Sequence, residues 1–484
     1  MATSSSETLP LLKISQTIEG NYPTWMFWKK KRNVVAILAF FGFLNCYTIK
    51  VNLSVAIVAM TTNTTIVMDN VKINEVSEFN WDSKMRGYVL SAFFYGYMTT
   101  QMIGGWLSIK IGGQKLFGLG IVMAGFLTLL TPWASRTSVY LLIVLRILEG
   151  ICEGVTSPCM NTLWSKWAPS LERTKLATVA MSGCYFGTVL AMTASAYLAE
   201  TLGWPSIFYV FGGISIVWFI IWMWFVSETP AEDPRISKTE LNYILQSVGS
   251  VQDEHMLEKS WTKMLTSPAV WAIIVYSFAN DWAFYTILTQ LPTYLKDRFA
   301  YDLGKIGFLS CVPYIATPFV IIISGQLADW LRKTDIFTTT QVRKIFTCTS
   351  SVAQTLLLIA VSHCSSVTVT VFCIVLGAAF EAWGYSGYGV NGLDIAPQHA
   401  GLISGISNTV ACLAGMCSPI FAGYIVTTSL EEWRIVFYLA SGIIFFGGVF
   451  YGVFASGDVQ AWNVSRTSSY ELLMTISDDD DDDE

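Results

Sequence analysis

Six ionisable side chains lie inside stretches that are otherwise apolar, and these residues are the ones that can do chemistry. They are Lys50, Arg146, Glu149, Glu153, Asp281 and Glu381. An ionised group at the centre of an apolar membrane span costs about 2.5–3.5 kcal/mol, so each needs a partner or a wet cavity. We therefore take these six as the first candidates for a functional site.

Three of the six share one helical face. Arg146, Glu149 and Glu153 are separated by three and four residues, the spacing of neighbours on a helix surface. Two interpretations stay open. In one, the guanidinium clamps an anionic substrate while a carboxylate gains and loses a proton. In the other, a buried salt bridge holds helices together, and Glu149 simply pairs with Arg146.

The other three charges have alternatives of their own. Lys50 either extends to the membrane surface along its aliphatic stem or faces a substrate. Asp281 and Glu381 either line a cavity in the second half of the chain or pair locally.

The elements that must position these charges are transmembrane helices. Of the 484 residues, 53% are hydrophobic and 13% are charged, against about a quarter charged in soluble domains. Each helix that crosses a bilayer needs about 20 apolar residues. About twelve such spans are predicted, near 34–58, 86–108, 115–133, 138–160, 176–198, 205–226, 269–293, 304–327, 343–362, 367–390, 401–425 and 434–455.

The predicted fold is an all-α polytopic membrane protein of two pseudo-symmetric six-helix halves. The predicted regions are an N-terminal tail at 1–33, a first half at 34–226, a linker at 227–267, a second half at 268–456 and an acidic tail at 457–484. Lysine and arginine in the short loops place both termini in the cytoplasm. Asn63 then falls in an external loop, as a predicted glycosylation site.

An internal repeat supports the two halves. Gly105 and Gly325 each follow the second helix of a half, and each is followed by leucine two residues on and then by basic residues. These segments resemble the signature loop of the major facilitator superfamily, whose halves rock around a central site.

Several function classes are disfavoured. Neither a nucleophile–base pair nor a cofactor motif is evident, so an enzyme is not expected. The ten cysteines and three histidines do not cluster, so neither a metal nor another cofactor is predicted. Nucleic acid is not an expected partner, because the net charge of −6 comes from an acidic terminal run. A channel or a transporter-like receptor remains open, distinguishable by saturable counterflow and net flux.

Three segments show a family resemblance: RILEGICEGV at 146–155, WSKWAPSLER at 164–173 and NGLDIAP at 391–397. They resemble the family of sialin, the vesicular glutamate transporters and the sodium–phosphate cotransporters, and the resemblance extends over residues 34–462. It implies that Arg146 meets the acid group of the substrate near Lys50, and that Glu149 and Glu153 couple protons. The other substrate-binding residues that it implies are Tyr95, Asn161 and Tyr285.

Four positions depart from the family pattern. Lys50 and Asn280 stand where relatives carry arginine, and Asn161 and Gly392 stand where they carry histidine. Asp281 and Glu381 have no counterpart in the family pattern, so Asn280, Asp281 and Glu381 are candidates for a second-half cavity.

The resemblance implies a secondary active transporter of small organic anions, of the sialic acid or acidic amino acid type. We expect proton coupling and alternating access. The alternative is a sodium-dependent cotransporter of inorganic phosphate or organic anions at the plasma membrane, so the coupling ion is H⁺ or Na⁺. Glu7, Leu11 and Leu12 resemble an acidic dileucine sorting signal, which predicts sorting adaptors as partners and a lysosomal or endosomal membrane beside the plasma membrane. We expect a monomer surrounded by lipid.

Overall fold

The computed structural model describes residues 27–61, 64–68, 71–75, 78–81, 83–248, 261–299, 303–364, 366–426 and 431–463. The first half contains α1 Lys31–Thr61, α2 Ser83–Ile111, α3 Gly113–Thr137, α4 Val139–Gly154, α5 Thr156–Trp167, α6 Arg173–Leu202 and α7 Pro205–Phe225. Between the halves lie α8 Lys238–Val248 and α9 Trp261–Leu265. The second half contains α10 Pro268–Phe299, α11 Leu303–Lys333, α12 Thr339–His363, α13 Val367–Ile395, α14 Ala400–Ile425 and α15 Glu432–Phe454.

The predicted all-α membrane fold is confirmed. Within the described ranges, nine helices are long and apolar enough to cross a membrane. One element was not predicted: strands β1 Thr64–Met68 and β2 Val71–Glu75 pair antiparallel between α1 and α2, with Met68 opposite Val71. We call the side of the molecule that carries these strands the hairpin face, and the opposite side, which carries α8, the linker face.

The fourth predicted span is broken into two helices. The sequence predicts one span over 138–160, but α4 ends at Gly154 and α5 begins at Thr156. Pro158 explains the break, because it has no amide hydrogen to donate to the carbonyl of Gly154, four residues earlier. The last charge of the triad, Glu153, therefore lies at the end of α4, beside the break.

Carboxylates of the linker region fix the ends of two helices. Glu240 of α8 accepts hydrogen bonds from the first two amides of α1, at 2.8 and 3.2 Å. Glu228, just after α7, accepts from the first two amides of α3, at 3.0 and 2.8 Å. A helix N-terminus has unpaired N–H groups and a positive dipole end, so these carboxylates stabilise both helix starts. The linker is thereby packed against the first half.

Arg32 at the start of α1 connects this helix to Glu172 and Glu240. Its guanidinium donates to Glu172 at 2.8 Å and to Glu240 at 2.9 Å, and all three side chains are buried. Burial alone would raise the pKa of Glu172, but the charge and hydrogen bonds of Arg32 lower that pKa to about 2. Glu172 therefore stays ionised at any physiological pH.

The two repeated glycines lie where the halves touch. They fall in the last turns of α2 and α11 rather than in loops. A Cβ atom on Gly105 would lie 2.5 Å from the carbonyl oxygen of Gly401 on α14. One on Gly325 would collide with the Thr178 hydroxyl on α6. Only glycine allows the backbones to approach this closely.

A charged network closes the linker face between the halves. Arg173 of the first half donates to the Leu393 carbonyl at 2.7 Å and to the Asp394 carboxylate at 3.2 Å. In return, Arg332 of the second half donates to the Ser170 carbonyl at 2.7 Å. The molecule is therefore in a conformation that is closed on the linker face.

Candidate functional site

Lys50 is held in a cage of aromatic rings formed by α1 and α2. Its ammonium lies 4.2 Å from the ring centre of Tyr97, 5.2 Å from those of Tyr47 and Phe94, and 5.5 Å from that of Phe93. Each such cation–π contact contributes on the order of 0.5–2 kcal/mol. Lys50 thus does not extend to the membrane surface: of the two alternatives, the structure has the one in which it faces the interior.

The charge of Lys50 is available to a further partner. Among the described residues, no carboxylate lies within the 4.0 Å ion-pair distance of its Nζ. Glu153 and Asp281 interact with it electrostatically over a longer range. The cation is therefore half-buried among rings but not neutralised by direct contact, which suits a site for an acid group.

Arg146 is paired with Glu149, as in one of the two interpretations that the sequence leaves open. Its side chain is 2% exposed, and its Nη1 donates to Glu149 at 2.5 Å. The guanidinium also reaches the carbonyls of Ile49 and Lys50, at 3.5 and 3.3 Å. Its Nε, however, is buried without a hydrogen-bond partner, and the guanidinium lies 5.1 Å from the ring centre of Phe93, which also contacts Lys50. The salt-bridge alternative is therefore present in this conformation, and the substrate contact of Arg146 stays a prediction.

Glu149 and Glu153 have different surroundings, although both were candidates for proton coupling. Glu149 is 0% exposed and accepts from Arg146, from Thr128 at 3.0 Å and from Thr131 at 3.5 Å. Glu153 is 1% exposed, and its Oε1 is buried without a hydrogen-bond partner. Both oxygens of Glu149 therefore have partners, whereas one oxygen of Glu153 remains able to take a proton or to accept a hydrogen bond.

Tyr95 lies on an outer face of α2, away from the Lys50 cage, and its expected substrate contact stays a prediction. Its side chain is 50% exposed, and it continues a stripe of exposed residues with Tyr88, Met102 and Trp106. A spacing of seven and four residues keeps these side chains on one outer face of the helix. Tyr97, two residues on, occupies the position beside Lys50 instead.

Asn161 belongs to the contact between the halves and not to the Lys50 cage. Its amide donates to Ser404 of α14 at 3.0 Å and to the Ser157 carbonyl at 3.1 Å. Asn408 donates to Ser157 beside it at 2.9 Å. Asn161 lies on α5, beyond the break that follows Glu153 and toward the linker face. Its expected contact with the substrate stays a prediction.

The second half brings Tyr285, Asp281 and Glu381 toward the cage. The Tyr285 ring lies 6.4 Å from that of Phe94 across the interface. Glu381 accepts a hydrogen bond from the Tyr185 hydroxyl of α6 at 3.2 Å. Asp281 interacts electrostatically with Glu381 and with Lys50. These three predicted residues thus lie where the halves meet.

Asn280 and a small cavity lie behind these carboxylates. Asn280 is 1% exposed, donates to the Tyr388 hydroxyl at 3.2 Å and accepts from Gln354 at 3.4 Å. A cavity of about 40 Å³ inside the second half is bordered by Glu381 and Gln354 and is otherwise lined mainly by apolar side chains. Asn280 therefore belongs to the interior of the second half.

Comparisons with known proteins agree with this architecture. The sequence profile of the Major Facilitator Superfamily matches residues 35–419. The chain is 40% identical to Homo sapiens sialin over 447 residues, which covers 88% of this chain and 90% of sialin. It is 39% identical to Homo sapiens vesicular glutamate transporter 2 over 463 residues, covering 95% and 80%. The chain belongs to the major facilitator superfamily, in the family of sialin and the vesicular glutamate transporters.

Solved structures show the same fold for this major facilitator. The proton:xylose symporter XylE superposes with a TM-score of 0.69 at 13% identity, covering 90% of this chain and 98% of the symporter. The Escherichia coli fucose:proton symporter FucP superposes with a TM-score of 0.62 at 14% identity, covering 87% and 99%. The predicted family is confirmed, and the relatives are transporters rather than enzymes, as predicted.

Sequence reasoning missed the residues that make the cage of this transporter. Tyr47 and Phe93 surround Lys50, and Tyr185 reaches Glu381, but none of them was singled out. The available signal was spacing: Phe93 and Tyr97 are four residues apart, so they share a face of α2. Aromatic residues are too frequent in this chain for that signal to stand out.

Some predictions lie outside the described residues. These are the sorting signal at Glu7, Leu11 and Leu12 and the glycosylation site at Asn63. They stay predictions.

The salt-bridge role of Arg146 can be tested by stability. Arg146→Met leaves Glu149 buried without its cation, so we expect the free energy of unfolding to fall by about 3–5 kcal/mol. The double variant Arg146→Met, Glu149→Gln should recover much of that free energy, because no charge is then left unpaired. Thermal unfolding of the purified variants measures both. Arg434→Met is the matched control, because Arg434 pairs with Glu431 at 2.6 Å with the same three-residue spacing but on the surface. Equal unfolding temperatures for Arg146→Met and the control would refute the structural role.

Proposed function

We propose that this transporter moves small organic acids together with protons by alternating access. One observation carries the proposal: the Lys50 ammonium is caged by four rings, and the nearby Glu153 has a buried oxygen with no hydrogen-bond partner. Relatives named for glutamate and for sialic acid transport support an acid as the substrate.

The coupling follows from the charges around Lys50. When Glu153 is ionised, its charge opposes that of any acid group that approaches Lys50. A proton on Glu153 removes this competition, so the acid binds best to the protonated form. Because binding of the acid and of the proton favour each other, the two are carried across together.

Alternating access is supported by the closed linker face. The seam from Arg173–Asp394 to Asn161–Ser404 blocks one path to Lys50. Opening this seam while the hairpin face closes would expose the site to the other side, as in other major facilitators. We propose that the protein resides in a lysosomal, endosomal or plasma membrane, with both termini on the cytoplasmic side.

The transport assay uses purified protein in proteoliposomes with labelled sialic acid, glutamate, lactate and phosphate. We expect saturable uptake of an organic acid driven by an inwardly directed proton gradient. The sodium gradient and the voltage are varied separately. Uptake that follows sodium at constant pH, or saturable uptake of phosphate alone, would contradict the proposal.

Glu153→Gln tests the coupling step. The glutamine cannot exchange a proton, so we expect accumulation driven by the pH gradient to fall to the level without a gradient. Exchange of labelled for unlabelled acid at equal pH should continue. Glu431→Gln, an exposed carboxylate at the start of α15, should behave as wild type. Accumulation by Glu153→Gln that still rises as the external pH falls would exclude Glu153 as the proton carrier.

A further inference from the structure

The facing walls of the central site carry opposite charges. Lys50 on α1 belongs to the first half, and Asp281 on α10 belongs to the second. The two interact electrostatically but lie beyond ion-pair distance. Tyr285, four residues after Asp281, places its ring against that of Phe94, so aromatic surface bridges the halves at this level. The site therefore has a cationic wall and an anionic wall with rings between them.

The balance of charge is unfavourable for a plain anion. Arg146 and Glu149 neutralise each other at 2.5 Å. Lys50 is then left facing the carboxylate of Asp281 on the other wall, with Glu153 on its own side. An acid without a cationic group would pair with Lys50 but bring its negative charge toward Asp281 without compensating that carboxylate, which is costly.

The unpaired oxygen of Glu153 is an independent sign of a ligand near Lys50. The side chain is 1% exposed, and its Oε1 has no hydrogen-bond partner, although its charge interacts with Lys50. A buried polar atom left without a partner commonly marks a functional position. The carboxylates of the second half are less free: Glu381 already accepts from Tyr185 at 3.2 Å.

We propose that the substrate is a zwitterion whose acid group binds Lys50 and whose cationic amine binds Asp281. This inference rests on the proposed function and narrows its substrate class to amino acids in the broad sense, including ω-amino acids. A zwitterion adds no net charge, so the charge balance of the site is unchanged when it binds. The amine also meets the faces of Tyr285 and Phe94, which favour a cation.

Contact with both walls has a mechanistic result. A molecule that binds Lys50 and Asp281 at the same time fixes the distance between the two halves. A molecule that binds only one of these residues does not. The substrate then binds one conformation more tightly than another, which is the condition for a ligand to shift a conformational equilibrium. An acid without the amine would bind Lys50 but leave Asp281 unpaired.

Paired probes that differ only in amine against hydroxyl test the proposal. Counterflow is measured in proteoliposomes for alanine and lactate, 4-aminobutanoate and 4-hydroxybutanoate, and 6-aminohexanoate and 6-hydroxyhexanoate, with protein-free liposomes as background. The three chain lengths sample different separations between acid and amine. In at least one pair we expect the amino acid to move at least about tenfold faster, because the half-buried carboxylate of Asp281 is paired by the amine and left unpaired by the hydroxyl.

Asp281→Asn should remove this preference, and Asp281→Glu should retain part of it. Asp335→Asn is the matched control: it is an exposed aspartate on the linker face with a φ of 51°, which asparagine also adopts. Hydroxy acids that move as fast as amino acids in every pair would overturn the zwitterion while the proposed function stands. So would an unchanged preference in Asp281→Asn. Failure of every acid to show saturable counterflow would overturn both.

Discussion

Lys50→Ala is expected to lower the rate of uptake of labelled acid by at least about 100-fold. This corresponds to an increase of about 2.7 kcal/mol in the activation free energy, at about 1.36 kcal/mol per factor of ten. The rings surround the Lys50 ammonium, and Lys50 is the cation of the central site that is not in direct contact with a carboxylate. Without it, an acid group would enter a region where carboxylates are in excess. The measurement is the initial rate of uptake in proteoliposomes with matched protein content.

Two further variants separate the charge of Lys50 from its aromatic contacts. Lys50→Arg keeps the charge in a larger, planar group, so we expect partial uptake. Lys110→Ala is the matched control, because the Lys110 ammonium also lies 4.2 Å from an aromatic ring, that of Trp106, on the linker face. It should retain near-normal uptake. If Lys50→Ala kept its rate within about threefold of wild type, Lys50 would not be the residue that binds the acid group.

Asp394→Asn is expected to destabilise the closed linker face by about 3–5 kcal/mol, the cost of removing one partner from a buried ion pair. Asp394 accepts hydrogen bonds from Arg343 at 2.7 Å and from Arg173 at 3.2 Å, and it forms a longer ion pair with Arg332 at 3.8 Å. Asparagine keeps the shape of the side chain but not its charge. Three buried guanidinium groups would then repel one another.

Hydrogen exchange followed by mass spectrometry can read out this change. In Asp394→Asn, the segments around 157–165 and 401–408 should exchange faster, because the seam that they form would open more often. A lower unfolding temperature should accompany this. Asp458→Asn, an exposed aspartate on the same face, is the control. Unchanged exchange in both segments would show that Asp394 does not hold the seam closed.

The sequence predicted the helices well because membrane spans are long and apolar. Where it failed, a local effect was responsible. Pro158 breaks the fourth span, since a proline within an apolar run has little effect on hydropathy but removes a hydrogen bond. The β1–β2 hairpin escaped notice because its strands are only five residues each.

The candidate site was predicted in part. Charges inside apolar helices are rare, so Lys50, Glu153 and Asp281 could be found from composition alone. Their partners could not. Whether Arg146 faces a substrate or Glu149 depends on the packing of α1 against α4, which spacing along one helix does not specify. The choice between Tyr95 and Tyr97 depends on the rotation of α2, where two residues change the direction of a side chain by about 200°.

Gly105 and Gly325 come from corresponding positions in the two halves, yet both of their close contacts lie on the linker face. The two halves thus stabilise the same conformation together, rather than one conformation each. Packing at these contacts sets part of the free-energy difference between conformations without touching Lys50. Since apparent affinity depends on the fraction of molecules in the binding-competent conformation, it is governed partly by backbone contacts remote from the substrate.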